Sequence, residues 1–136
     1  MKNFNFFKSK KQKSDSKQIS SSMIEWPDHV VILDDNNFEN FIRKYPLSVI
    51  DFWAPWCAPC KAMAPRLRRL SNIYRGKVAF GKINIQNYKD ISKKYKIMGI
   101  PNLIFFRFGK KVASITGIKS VGNIKDVIED ILKKGD

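Results

Sequence analysis

Cysteine and histidine are nearly missing from this sequence: Cys57, Cys60 and the single His29 are all it has. Secreted domains held by disulfides need several pairs closing long loops. A lone pair three positions apart closes too short a loop to restrain the unfolded chain, so it reads as chemical rather than structural. A tetrahedral zinc site wants about four Cys or His ligands. The scarcity of both argues against a metal bound within this chain and leaves only one shared between two chains. Long apolar runs are lacking too. The longest, such as Val30 to Leu33 and Leu103 to Phe106, fall far short of the roughly 20 residues that cross a bilayer. Met1 to Phe7 has neither the roughly 7–15-residue apolar stretch nor the small-residue cleavage site of a secretory signal, so the expected location is cytoplasmic. Acids are the last shortage, 12 against 26 Lys plus Arg, for a formal charge of +14. Such a surface attracts anionic partners and repels cationic ones. No helix concentrates Arg and aromatics as a nucleic-acid reader does, so the excess reads as a solvated basic face and no specific nucleic acid is expected.

The 136 residues, 43% of them hydrophobic, supply enough apolar surface for one core. Residues 1–24 are rich in Lys, Ser, Asn and Gln, cannot bury enough surface to offset their ordering entropy, and read as a disordered basic tail. Phe4, Phe6 and Phe7 beside the lysines suit an anionic membrane or partner, but a solvated extension is the preferred reading. Translation from Met23 is a second option for this end.

Residues 25–136 carry the pattern of one α/β domain. Val30 to Leu33 reads as a strand, with Asp34 or Asp35 capping a helix that sets Phe38, Phe41, Ile42 and Tyr45 on one face and ends at Pro46. Leu47 to Trp53 is apolar enough for a strand covered on both sides. After Cys57 a long helix is expected, with Met63, Leu67, Leu70 and Ile73 as its inner stripe, a kink at Pro65 and a stop at Gly76. A strand over Val78 to Ile85 and a short helix marked by Ile91 and Tyr95 come next. Leu103 to Phe108 and Val112 to Thr116 form a hairpin turning at Gly109-Lys110, and a last helix carries Val121, Ile124, Ile128, Ile131 and Leu132 on one face. Parallel crossovers followed by an antiparallel hairpin imply an α/β fold with a mixed central sheet and helices on both faces.

Trp56-Cys57-Ala58-Pro59-Cys60-Lys61 sits where strand gives way to helix. Unpaired N–H groups and the helix dipole there favour the thiolate of Cys57. Cysteines at i and i+3 are near enough to form a disulfide, so Cys60 can resolve a mixed disulfide, and Pro59 suits the first turn. Half a metal site or two core thiols are the alternatives, disfavoured by the flanking Trp, the internal Pro and the strand-to-helix position. Asp51, inside a run expected to be buried, should have its pKa raised by desolvation and can then accept the Cys60 proton; a carboxylate paired to a lysine for structure alone is the alternative.

The run Val49-Ile50-Asp51-Phe52-Trp53-Ala54-Pro55-Trp56-Cys57-Ala58-Pro59-Cys60-Lys61, with Gly99-Ile100-Pro101 downstream, closely resembles the thioredoxin family, the similarity extending from about Val30 to Lys134. The resemblance implies a thioredoxin-like fold, a cis Ile100–Pro101 bond lying against the active-site disulfide, and substrate backbone added as a strand beside it. It further implies Trp53 and Trp56 at the site's border, Lys82 near Asp51, and Gly117 with Ile118 lining the substrate groove beside Ala58 and Pro59. Ala58-Pro59 replaces the usual Gly-Pro, Asn102 the usual Thr, and Gln86 a common Asp; these bear on substrate preference. Absence of His from the dipeptide favours a reductant over an oxidant. The implied activity is protein-disulfide reduction by Cys57, Cys60, Asp51 and Lys82 with no bound cofactor or metal. A separate thioredoxin reductase would recharge the chain, which is expected to act as a monomer on disulfide-containing proteins. A thioredoxin-like binding module and a disulfide oxidant or isomerase are the competing readings.

Overall fold

Asp34 turns the chain from its first strand into its first helix: its Oδ1 accepts from the backbone N–H of Asn36 and Asn37 at 2.8 and 2.9 Å, while its own N–H donates to Asn37 Oδ1 at 2.7 Å. In the computed structural model, which describes residues 23–135, the chain then follows the order strand β1 (Val31–Leu33), helix α1 (Phe38–Lys44), β2 (Ser48–Trp53), α2 (Ala58–Ile73), β3 (Ala79–Asn84), α3 (Lys89–Lys94), β4 (Asn102–Arg107), β5 (Lys110–Thr116) and α4 (Val121–Lys134). The expectation for residues 1–24 falls almost wholly outside the described residues.

The strands make one sheet in the order β1-β3-β2-β4-β5, parallel between β1, β3 and β2 and antiparallel from β2 to β4 and β5. β2 is central, and the pleat sends its side chains alternately to two cores. Val49 faces a cluster with Met63, Leu67 and Leu70 of α2 and Ile124, Ile128 and Ile131 of α4, joined by Leu103 and Phe105. Ile50 and Phe52 face the other, with Phe38, Phe41 and Ile42 of α1, Ile104 and Phe106. In this second core the rings of Phe38, Phe52 and Phe106 surround Tyr95 at 5.4–6.2 Å between centroids, mostly edge-on or tilted, which holds the end of α3 on the sheet. Tyr74 closes α2 against α4 by donating its hydroxyl to Glu129 Oε2 at 2.7 Å.

Three local expectations are corrected. Asn37, not Asp34 or Asp35, is the residue before the first helical turn, because the Asp34 turn uses up three more residues. Ile73 is 46% exposed, and Ser71 and Tyr74 take its place inside, since the stripe drifts around the long helix. The hairpin turns at Phe108-Gly109 rather than Gly109-Lys110: both have positive φ, 45° and 87°, and Arg107 pairs with Lys110. That is the primed turn whose twist suits the flanking strands. Pro65 lies inside α2 without ending it.

Phe105 is fully buried between α2 and α4. Phe105→Ala is expected to lower unfolding free energy by about 3–5 kcal/mol in urea denaturation; a loss below about 1 kcal/mol would mean that this face is not the packed one.

Candidate active site

β2 leaves the sheet at Trp53, and a tight turn, with Cys57 N–H donating to Ala54 O at 3.2 Å, delivers Cys57 to the N-cap of α2. Its backbone is extended, φ −96° and ψ 108°, and its Sγ accepts the N–H of Cys60 at 3.2 Å. This is one of the donors that the first turn of a helix leaves unpaired, and it is aimed at the Cys57 sulfur. Pro59 occupies the first turn, where its missing N–H has no intrahelical partner to lose. Cys57 and Cys60 are joined as a disulfide, with Cα atoms 5.2 Å apart. Both are buried, whereas the neighbouring Trp56 is 69% exposed and Ala58 and Pro59 are open to solvent.

Three loops converge on this disulfide. The Ile100–Pro101 bond is cis, and the Ile100 carbonyl oxygen lies 3.9 Å from Cys57 Sγ. Pro101 is tied to the third loop, since Gly117 N–H donates to its carbonyl at 2.7 Å; Gly117 has φ +91°, a conformation glycine adopts freely, and Ile118 beside it is 42% exposed. Arg66 reaches back from α2 to donate to Lys119 O at 2.8 Å and so braces that loop. Helical spacing sets Arg66 outside the inner stripe of α2, and no local signal marks a contact 53 residues away.

Asp51 follows from the pleat. Two residues after Val49, it must point to the same side of the sheet, under α2, and it is 2% exposed with Oδ1 unpaired. Desolvation pushes its pKa up to about 7, while the positive charge of Lys82 pulls the other way. Lys82 is its register partner on β3, and its Nζ lies 5.1 Å from the centre of the Trp53 ring. A cleft of about 250 Å³ bounded by His29, Ile32, Ala64, Arg68 and Lys82 reaches Asp51, which gives its proton a way out. Asp51 and Lys82 thus meet inside the sheet, while Cys57, Cys60, Ile100, Pro101 and Gly117 are linked by the contacts above, with Trp56, Ala58, Pro59 and Ile118 exposed next to them in the chain. Two features were not foreseen: Met98, 95% exposed on the rim, and the Asn102 Nδ2 to Thr116 Oγ1 hydrogen bond, 3.2 Å, that links β4 to β5 behind Pro101.

Among the described residues there is no group of three or more His, Cys, Asp or Glu arranged to hold a metal, and no helix long and apolar enough to cross a membrane. The electron-carrying group present is the disulfide itself.

The folded pKa of Asp51 lies above its unfolded value of 3.8, so the folded state binds this proton more tightly. Between about pH 4 and 7 this group therefore lowers stability as pH rises, by on the order of 4 kcal/mol in all. Asp51→Asn should stabilise the protein at pH 8 and do little at pH 3.5; urea titrations at both pH values check this, and equal effects at both would show that burial of the charge is not the cause.

The thioredoxin family model matches residues 29–130. Chloroplastic M-type thioredoxin of Spinacia oleracea is 37% identical over 101 residues, which are 74% of this chain and 56% of that protein. Thioredoxin of Staphylococcus saprophyticus is 36% identical over 100 residues, 74% of this chain and 95% of its own. Thioredoxin C-2 of Corynebacterium nephridii is 44% identical over 89 residues, 65% and 82%. Among solved structures, a chain from work on thiol resolution in yeast mitochondrial 1-Cys peroxiredoxin via glutathione and thioredoxin systems superposes with a TM-score of 0.68 at 29% identity, covering 75% of this chain and 95% of that one. A mutant thioredoxin from Halobacterium salinarum NRC-1 superposes at 0.73 with 24% identity, covering 79% and 94%, a likeness of fold.

Proposed function

The chain belongs to the thioredoxin family and its cysteine pair carries out dithiol–disulfide exchange; from that premise we propose how the surrounding residues divide the work of reducing other proteins. The observation that carries the proposal is a disulfide at a helix N-cap, with a backbone donor on Cys57 Sγ and a cis-proline loop against it.

In the reduced protein, Cys57 is the attacking thiolate. It displaces one sulfur of the target disulfide, which leaves as a thiolate and takes a proton, and a Cys57–target mixed disulfide remains. Cys60 then gives its proton to Asp51 and attacks Cys57 Sγ, the Cys57–target bond breaks, the target's second sulfur departs as a thiolate that takes up a proton from Asp51 or water, and the Cys57–Cys60 disulfide closes. Two electrons and two protons have passed to the target. Trp56, Ala58, Pro59 and Ile118 supply the exposed rim on which the target rests. The backbone at Ile100–Pro101 accepts the target segment as an added strand, and Gly117 holds Pro101 in place. Lys82 acts through Asp51: its charge holds the carboxyl pKa down against burial, within reach of neutral pH. The targets are disulfide-containing proteins. The Ala58-Pro59 dipeptide offers no cation to stabilise the reduced thiolate further, which favours a reductant. A thioredoxin reductase returns the electrons, the chain acts as a monomer, and its place of work is the cytoplasm.

Cys60→Ser should trap mixed disulfides on Cys57 when mixed with a disulfide-bonded protein, visible on non-reducing gels; trapping by Cys57→Ser instead would reverse the two roles. With dithiothreitol as electron source, Cys57→Ser should lower reduction of a protein disulfide to the rate of dithiothreitol alone, and undiminished turnover would favour a binding role. Lys82→Gln removes the charge that holds the Asp51 pKa down, so the rise of resolution rate with pH should move upward in rapid-mixing profiles; a profile moved to lower pH would contradict the assignment.

A further inference from the structure

The positive charge of this chain is unevenly spread. From Phe52 to Lys125 there are sixteen Lys or Arg and a single acid, Asp90; the other eleven acids lie outside that span. The span contains the whole outer rim of the site, from Trp56 to Cys60, Ile100-Pro101 and Gly117-Ile118. Asp34 and Asp35, which follow β1 at the same end of the sheet, are the acids that face this strongly basic stretch from outside it.

A cleft of about 400 Å³ opens beside the cis-proline loop, in the size range of small-ligand pockets. Lys96 and Gly99 line it on the side that follows α3, and Lys111, Ser114 and Thr116 of the edge strand β5 line the other, with Asn102 between. Ser114 and Thr116 pair with Ile104 and Asn102, share their side of the sheet and are exposed. No acid lines the cleft; Glu39 acts on Tyr95 in its lining from outside and is engaged by Lys94 and Arg43, and Asn102 Oδ1 is the one buried acceptor without a partner there. Among the described residues neither Lys96 nor Lys111 has a carboxylate within ion-pair distance, whereas Lys94 nearby is engaged by Glu39 at 3.1 Å. Thr116 Oγ1 already accepts from Asn102, so its hydroxyl proton is available to an acceptor. Lys96 adopts φ +53°, where glycine or asparagine is usual, so a long cationic side chain is held at this place against local backbone preference.

We propose that this cleft is a subsite for an acidic side chain of the target polypeptide, so that disulfides flanked by Asp or Glu are preferred. The inference rests on the exchange chemistry above. A target strand laid along Ile100 brings its cysteine to Cys57 and its neighbouring residues past Gly99, at the mouth of the cleft. There Lys96 and Lys111 meet the carboxylate, and Ser114 and Thr116 donate to it.

The test uses the full chain charged with dithiothreitol and three peptides, each with one internal disulfide, identical except for Glu, Ser or Lys beside one cysteine. The Glu peptide should be reduced about tenfold faster than the Ser peptide, and the Lys peptide more slowly still. Lys96→Glu with Lys111→Glu should bring the Glu-to-Ser rate ratio to about one or below. Lys77→Glu with Lys133→Glu makes the same change in net charge at the opposite end of the sheet, and should leave most of the ratio intact. Equal rates for the three wild-type peptides would overturn the subsite while leaving the exchange reading in place. An equal loss of preference in both double variants would also overturn it, by assigning the effect to net charge. Failure to reduce any peptide would overturn the exchange reading and the subsite with it.

Discussion

The handover from a strand buried on both faces to a helix that begins at Cys57 is the constraint on which the rest depends. A helix start always leaves backbone donors without partners, and here one of them is aimed at a sulfur. That aim is only as good as the anchoring on either side. β2 is clamped between β3 and β4, and α2 is held by Met63, Leu67 and Leu70 against Val49, Leu103 and Phe105. The apolar core therefore serves the chemistry by fixing where the helix begins, and the close approach of the Ile100 carbonyl to Cys57 is possible because β4 is paired in register with the same central strand.

Asp51 shows what such a site asks of the fold. A position two residues from Val49 on a central strand is a place for an apolar side chain, and a carboxylate there lowers stability at neutral pH. The surroundings temper the penalty without removing it: Lys82 lies opposite on the neighbouring strand, and a cleft connects the carboxyl to solvent. A fully satisfied carboxylate would lie lower in pKa and hold no proton near neutrality; a fully dry one would stay protonated. The intermediate environment leaves a group able to change state during the reaction.

Recognition follows a different logic from catalysis. The residues next to Cys57 and Gly117 include two exposed apolar side chains, Trp56 and Ile118, which on the proposed reading hold a target through nonspecific burial. Discrimination has to come from elsewhere, and on the proposed reading Lys96 and Lys111, lining the cleft beside the cis-proline loop, supply it. Lys110 and Lys111 on the edge strand also discourage unwanted strand pairing, helped by the irregular register between Phe105 and Phe106.

Element order, a sheet covered on both faces, the cysteine pair at a helix start and the buried carboxylate were all legible in the sequence, because each is written locally: an unbroken apolar run along β2, recurrence every three or four residues along α2 and α4, and Pro or Gly at the breaks. Boundaries slipped where neighbours competed for the same backbone groups, as when the Asp34 turn moved the start of α1, or where a helical stripe drifted, as at Ile73. Local spacing says nothing of which distant segments meet; resemblance to the family alone had set Ile100–Pro101 against the disulfide, and the tertiary structure decided the rest. Ile100 lies 43 residues from Cys57, Lys119 lies 53 from Arg66, and the cleft joins the loop after α3 to the edge strand β5. No local periodicity encodes such contacts. They exist because the sheet fixes strand order and register, and packing against its two faces leaves the loops only one place to converge.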